Sequence, residues 1–181
     1  MTKGQIFAVV GPSGAGKDTL MAAAARARPD LHIVRRVITR PATAGGEDFE
    51  GVTEAEFTRR QTAGEFTLTW PAHGLHYGIP TAECAGLAQG QTILFNGSRL
   101  ALPAAQTRFP TLVTILVTAP NSILATRLAA RGREDPADIE ARLIRAGFDL
   151  PPVRDLRVVQ NDATPDIGLI RFLRALQPSN G

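Results

Sequence analysis

A short segment near the start of the chain has the residue types and spacing of a phosphate-binding loop. The residues Gly11, Pro12, Ser13, Gly14, Ala15, Gly16 and Lys17 match the first seven positions of the pattern G-x-x-x-x-G-K-[ST]. Glycines at these positions allow a tight turn whose backbone N–H groups point at one centre, and the lysine reaches the β- and γ-phosphates of a nucleotide. We therefore predict ATP or GTP binding, with Lys17 as a catalytic residue. The alternative is a glycine-rich turn with an unrelated lysine.

The eighth position of the pattern holds Asp18 instead of Ser or Thr. The expected hydroxyl gives Mg²⁺ a neutral oxygen ligand, and a carboxylate is a stronger, charged ligand for the same hard ion. Thr19 offers a hydroxyl one position later, whereas two apolar strand-like runs end in Asn96 and Thr118 rather than in an acid. We predict that Asp18 and Thr19 bind nucleotide and metal. The alternative is that Asp18 only stabilises the N-terminus of a helix.

Alternating strand and helix patterns must position this loop. The run QIFAVVG predicts a buried strand before it, and KDTLMAAAARARP predicts a helix after it that stops at Pro29. Strands continue to alternate with helices along the chain, which predicts the α/β class, with a parallel sheet wrapped by helices. LHIVRRVITRP reads as one strand, TEAEFTRRQTAG as a helix with a capping box, and EFTLTWPAHGLHYGIP as an antiparallel hairpin. Residues 35–80 therefore suggest a small inserted lobe.

Composition narrows the functional class. The chain has 181 residues, a formal charge of +3 and a single cysteine, Cys84. A DNA-binding domain of this size usually carries a denser basic stripe, so we expect no nucleic acid partner. One cysteine allows no internal disulfide, the start resembles no secretory signal, and TLVTILVTA is too short to cross a bilayer. We expect a cytoplasmic protein without a membrane partner, as a monomer or homodimer.

Together with TRP, GEF, HYG, RLAARGRE and VVQND, the phosphate loop makes the chain resemble the guanylate kinase superfamily over about residues 5–177. It looks closer still to the ribose 1,5-bisphosphate phosphokinases of phosphonate catabolism, through GPSGAGKDTL, RRVITRPATAGGED, AHGLHYGIP and NGSR. The resemblance implies a P-loop NTPase fold and transfer of the γ-phosphoryl group of ATP, with Mg²⁺, to the 1-phosphate of ribose 1,5-bisphosphate. It also implies one kinase domain over 1–181, with a core (1–34, 81–125 and 148–177), an acceptor lobe (about 35–80) and a helical lid (about 126–147).

The acceptor site departs from the guanylate kinase pattern S-x-T-T-R-x-x-R, which corresponds here to RVITRPAT. In this resemblance Arg40 matches the first phosphate-binding arginine, Thr43 stands at the second, and Arg36 replaces a serine that contacts the base. The two acids that read guanine are matched by Leu68 and Asn96. Without those acids, each buried N–H donor of guanine would lack a partner, which costs roughly 1–3 kcal/mol of binding free energy. The positive charge of Arg36 instead suits a smaller acceptor with phosphates at both ends.

Further residues complete the predicted acceptor site. Tyr77 keeps the phosphate-contacting tyrosine of the superfamily, and a second tyrosine is replaced near Phe49. The sugar could contact Asn96, Ser98 and Arg99. The predicted substrate-binding residues, for a phosphorylated sugar as small-molecule partner, are Arg36, Arg40, Tyr77, Asn96 and Ser98.

The resemblance also assigns lid and nucleotide residues. Arg131 and Arg142 match lid arginines that contact phosphates on closure, so both are predicted as catalytic, with Arg133 as a third candidate. Arg127 fits either this group or a surface ion pair. Asn161 matches an adenine-contacting asparagine, with a simple turn residue as the alternative. Two other functions remain open: a guanylate kinase that phosphorylates GMP, and an inactive guanylate-kinase-like binding module.

Overall fold

The structure, a computed structural model, describes residues 3–132 and 134–178. Its strands are β1 (Ile6–Val10), β2 (Leu31–Ile33), β3 (Val37–Ile38), β4 (Glu50–Gly51), β5 (Phe66–Ala72), β6 (Leu75–Pro80), β7 (Thr92–Asn96), β8 (Val113–Thr118) and β9 (Leu156–Gln160). Its α-helices are α1 (Lys17–Ala27), α2 (Glu54–Thr62), α3 (Leu102–Arg108), α4 (Asn121–Arg131), α5 (Pro136–Ala146) and α6 (Pro165–Ala175). Short 3-10 helices cover Ala42–Ala44, Thr81–Gln89 and Arg99–Ala101.

A parallel five-stranded sheet in the order β2-β7-β1-β8-β9 forms the centre of the molecule. The middle strand β1 is fully buried and alternates its side chains between two core clusters, as the period of two along a strand requires. Phe7 and Val9 pack with α1 and α6 through Leu20 and Phe172, whereas Ala8 packs with α3 on the other face. Helices on both faces confirm the predicted parallel sheet wrapped by helices.

A second, four-stranded sheet has the order β4-β3-β6-β5. Strands β5 and β6 form the predicted antiparallel hairpin, joined through His73 and Gly74. The prediction of one strand over LHIVRRVITRP was wrong, because the run divides into β2 in the first sheet and β3 in the second. The backbone N–H of Val34 still donates to Leu94 in the first sheet, but that of Arg35 donates to the carboxylate of Glu83 at 2.9 Å, which ends the ladder.

Helix α2 begins as its sequence predicted, although only half of the capping box forms. The hydroxyl of Thr53 accepts from the backbone N–H of Glu56 at 3.2 Å. The carboxylate of Glu56 accepts from Arg59 further along the helix instead of returning to the cap. Among the residues that the structure describes, no helix combines the length and the apolar composition that a membrane crossing needs.

Candidate active site

The phosphate loop links the end of β1 to the start of α1, at the carboxyl edge of the parallel sheet. A side chain at Gly11 would overlap the carbonyl group of Val117 on the neighbouring strand, and Gly14 and Gly16 have φ values of 84° and 89°. These backbone conformations favour glycine. The amine of Lys17 donates to the carbonyl of Gly11 at 2.9 Å, so it lies across the mouth of the loop.

Two distant side chains hold the loop in shape from outside. Arg127 on α4 donates to the carbonyl of Gly14 at 3.2 Å and to that of Asn161 at 2.5 Å. The side-chain amide of Asn161 in turn donates to the carbonyl of Ala15 at 2.7 Å. Arg127 is therefore a loop support and not the surface ion-pair residue considered from the sequence, and the amide nitrogen of Asn161 is directed at the loop.

Asp18 lies in the first turn of α1 and faces the end of β7. Its carboxylate accepts a hydrogen bond from the side-chain amide of Asn96 at 2.7 Å. The N-cap residue of α1 is Gly16, and no side-chain hydrogen bond caps this helix. Asp18 lies in the first turn, where its charge also suits the positive end of the helix, and its carboxylate is fixed beside the loop by Asn96.

Arg36 is the most deeply buried charged side chain among the described residues, with 5% of its surface exposed. It donates through Nε at 3.0 Å and through Nη2 to the two oxygens of Glu47, and through Nη1 at 2.8 Å to the carbonyl of Asn96. Its guanidinium also lies 4.9 Å from the ring centre of Tyr77, which stacks on Trp70 with centroids 5.6 Å apart. Neither Glu47 nor Trp70 was singled out from the sequence.

These charges act on one another across the site. Burial lowers the pKa of the Lys17 amine below its ordinary value of 10.5, and the positive charges of Arg36 and Arg131 act in the same direction. The negative charges of Asp18 and Glu47 oppose that shift. Arg36, Arg131, Asp18 and Glu47 therefore lie close enough to the Lys17 amine to affect its pKa.

A cleft of about 500 Å³ separates the phosphate loop from the β5–β6 hairpin. Its loop side is formed by Gly11, Pro12, Ser13, Lys17 and Asp18. Its other lining residues include Arg36, Trp70, Tyr77, Asn96, Ser98, Arg99, Leu143 and Phe148. The structure thus brings five of the ten predicted nucleotide-binding residues and four of the five predicted substrate-binding residues to one cavity.

Some predicted residues lie outside the lining of that cleft. The guanidinium of Arg40 lies 4.3 Å from the ring centre of Phe49 and donates to the carbonyl of Gly45 at 3.1 Å. Arg142 pairs with Glu134 at 2.9 Å on the exposed surface of α5, and Thr19 is exposed on α1. Arg131 ends α4 beside the site without lining it. The candidate Arg133 lies outside the described residues.

The described part of the chain contains no group of three or more His, Cys, Asp or Glu side chains arranged to hold a metal ion. Mg²⁺ at phosphate-transfer sites is usually held by one or two carboxylates together with substrate phosphates and water. Asp18 supplies one carboxylate at the phosphate loop, fixed by Asn96. This donor set fits a magnesium ion that arrives with a nucleotide.

The fold is similar to that of a solved guanylate kinase from Anaplasma phagocytophilum, with a TM-score of 0.67 and 21% identity over 97% of this chain and 88% of that chain. It is also similar to a solved sugar kinase from Janibacter, with a TM-score of 0.55 and 16% identity over 96% of this chain and 94% of that chain. The phosphate loop at the end of the central parallel strand, the cleft beside it and these similarities define a P-loop NTPase fold of the guanylate kinase-like type.

Sequence relatives give the family. The chain is 47% identical to a ribose 1,5-bisphosphate phosphokinase PhnN from Ruegeria over 97% of this chain and 93% of that protein. It is 42% identical to a protein of the same name from Agrobacterium fabrum over 97% of this chain and 98% of that protein. The chain therefore belongs to the ribose 1,5-bisphosphate phosphokinase (PhnN) family.

Bifunctional proteins are also similar to the chain, over part of their own length. The chain is 48% identical to a bifunctional ribose 1,5-bisphosphokinase-thymidine phosphorylase from Cupriavidus necator, over 96% of this chain and 29% of that protein. It also covers 29% of the bifunctional protein of the same name from Cupriavidus pinatubonensis, so the chain spans less than a third of both bifunctional relatives. No protein-family model matches the chain.

Proposed function

We propose that the chain transfers the γ-phosphoryl group of ATP to the 1-phosphate of ribose 1,5-bisphosphate, giving 5-phosphoribosyl 1-diphosphate and ADP. The proposal rests on the wall of the cleft that lies opposite the phosphate loop and includes Arg36 and Tyr77. Arg36 is buried there with its charge engaged by Glu47, and Leu68 is buried in the apolar core of the hairpin. Leu68 does not line the cleft and presents no carboxylate to a guanine edge, and the polar groups around Asn96 suit a hydroxylated sugar.

In the proposed reaction, an oxygen of the acceptor phosphate forms a bond to the γ-phosphorus while the bond from that phosphorus to the β-bridging oxygen breaks. ADP leaves with the bond electrons. The attacking oxygen is already anionic, so the step needs no strong general base, and positioning and charge stabilisation supply most of the catalysis.

The chain's own groups divide this work. Backbone N–H groups of Gly11 and residues 13–16 would hold the β- and γ-phosphates, since Pro12 has no N–H to donate. The Lys17 amine would move from the Gly11 carbonyl to the transferring oxygens. Asp18, with Thr19 nearby, would hold the Mg²⁺ that accompanies ATP and neutralises the charge between its phosphates. We assign Asn161 to the adenine end and Arg40, Tyr77, Asn96 and Ser98 to the acceptor.

We also propose the domain division given by the resemblance, with a core, an acceptor lobe at about 35–80 and a lid at about 126–147. Arg131 at the end of α4 and Arg142 on α5 would approach the phosphates when the lid closes, since closing lids exclude water and complete the charge around the site. A cytoplasmic location and a phosphorylated sugar as the small-molecule partner follow from the same proposal.

A coupled assay of ADP release tests the reaction. The purified chain is supplied with Mg²⁺·ATP and with ribose 1,5-bisphosphate, GMP or buffer alone. We expect turnover with ribose 1,5-bisphosphate well above the other two, and a product with the mass of 5-phosphoribosyl 1-diphosphate. Turnover with GMP alone would contradict the proposal, and no turnover with either acceptor would favour a binding module.

A further inference from the structure

We propose that Arg99 binds the 5-phosphate of the acceptor and is the residue by which the site requires a phosphate at both ends of the sugar. The inference rests on the proposed function. It differs from the expectation for Arg36, whose charge suggested the second phosphate from the sequence alone.

The charges of the cleft single out Arg99. Among the residues that the structure describes, three lysine or arginine side chains line the cavity: Lys17, Arg36 and Arg99. Lys17 belongs to the phosphate loop, and all three guanidinium nitrogens of Arg36 already donate to Glu47 and Asn96. Within residues 3–132 and 134–178, no carboxylate forms an ion pair with Arg99. Its positive charge is thus available to an anion in the cleft.

Arg99 lies where the 5-phosphate end of the bound sugar is expected. Arg99 begins the short 3-10 helix Arg99–Ala101, and Ala101 is buried in the same core cluster as Trp70 and Ala72 of the hairpin. The backbone of Arg99 therefore lies next to the hairpin, whereas Lys17 belongs to the phosphate loop, and both side chains line the cleft. The acceptor phosphate that receives the phosphoryl group must lie beside the loop, so the other end of the sugar extends toward Arg99.

An aromatic ring orients the guanidinium. The Cζ atom of Arg99 lies 4.8 Å from the ring centre of Phe148, which follows α5 and also lines the cleft. A cation–π contact of this kind leaves N–H groups of the guanidinium able to donate elsewhere, because an arginine carries five of them. A phosphate oxygen is the acceptor that such a planar donor set suits, often through two parallel hydrogen bonds.

The role predicts a selective effect of removing the charge. A charge-assisted hydrogen bond is typically worth enough to change affinity by roughly 10- to 100-fold. The Arg99→Met variant should lower kcat/KM for ribose 1,5-bisphosphate by about that factor, through KM more than kcat, with the KM for ATP unchanged. For ribose 1-phosphate, which lacks the distal phosphate, the same variant should change kcat/KM by less than about threefold. Arg99→Lys should recover part of the loss.

Arg108→Met is the matched control, because Arg108 also lies over an aromatic ring, 5.3 Å from the centre of Phe109, and does not line the cleft. It should behave like the parent with both acceptors. An equal loss with both acceptors in Arg99→Met would overturn the assignment. If ribose 1-phosphate is not turned over, its competitive inhibition constant is compared in the same way, and an equal rise there would also contradict it.

A binding measurement separates this inference from the proposed reaction. Calorimetric titration with ribose 5-phosphate needs no turnover, and the only phosphate of this ligand is the distal one. We expect weaker binding to Arg99→Met than to the parent and to Arg108→Met, and equal affinity would refute the role of Arg99. Inactivity of the parent with ribose 1,5-bisphosphate would instead refute the reaction.

Discussion

Glu47 holds Arg36 through hydrogen bonds from two guanidinium nitrogens to its two carboxylate oxygens. The pair is nearly closed to solvent, since the two side chains are 6% and 17% exposed. Glu47 comes from a loop in which Gly45 and Gly46 have φ values of 76° and 94°. The pair therefore ties a glycine-rich loop to the wall of the cleft, and the carboxylate of Glu47 neutralises the charge of Arg36 there.

The first prediction concerns the stability of this pair. Glu47→Ala should lower the free energy of unfolding by about 3 kcal/mol, because it leaves a buried guanidinium without its counter-charge. The measurement is equilibrium urea denaturation. Asp48→Ala is the control, since the neighbouring pair Arg35–Asp48 is 51% and 85% exposed and should contribute less than about 1 kcal/mol. Similar small losses in both variants would show that the buried pair is not structural.

The second prediction concerns the metal. Asp18→Ala should raise the Mg²⁺ concentration needed for half-maximal turnover by about tenfold or more, because it removes the carboxylate fixed beside the loop. Asp18→Ser should retain part of the metal response through its hydroxyl. Asp30→Ala is the control, because it removes an exposed carboxylate that does not line the cleft. The turnover of this variant should depend on the Mg²⁺ concentration as that of the parent does. A parental Mg²⁺ dependence in both Asp18 variants would exclude the metal role.

The third prediction concerns Lys17 and pH. Lys17→Met should reduce kcat by on the order of 10²- to 10³-fold, as loss of a group that stabilises transition-state charge does. Because burial lowers the pKa of this amine in the folded protein, the unfolded chain binds more protons between that lowered pKa and 10.5. The unfolding free energy of the parent should therefore rise with pH in this window relative to the variant. Chemical denaturation at several alkaline pH values measures the difference, and parallel profiles would contradict it.

The fourth prediction concerns the lid arginines. Arg131→Ala and Arg142→Ala should each lower kcat by about 10²-fold while changing stability by less than about 0.5 kcal/mol, since both are exposed. Steady-state kinetics and thermal unfolding provide the two readouts. Arg145→Ala, in the last turn of α5, is the control and should keep parental turnover. Unchanged kcat in both lid variants would remove the lid from the mechanism.

The predictable parts of the molecule are those whose signals are local. The phosphate loop was visible because glycines and a lysine recur at fixed spacing, and the strand and helix beside it follow from hydrophobic periodicity. The hairpin was visible for the same reason. By contrast, the end of β2 depends on Glu83, which captures the backbone of Arg35 from 48 positions away.

The less predictable parts of the site are pairings made by the tertiary fold. The sequence places Glu47 in a polar loop with several acids, and no local pattern distinguishes it from Asp48. Trp70 reads as one more residue of a hairpin strand, although its ring stacks in the cleft. The sequence resemblance placed Arg40 at an acceptor phosphate, and the structure directs its guanidinium to Gly45 and Phe49, so that role remains a prediction.

The supports of the phosphate loop also determine when the site can form during synthesis. The partners of Gly14 and Ala15 are Arg127 and Asn161, which follow them by 113 and 146 positions. Chains emerge from the ribosome N-terminus first. A nascent chain therefore contains the phosphate-loop sequence long before the side chains that support the loop have been synthesised. The fully supported loop can form only after β9, the last strand of the sheet, has been made.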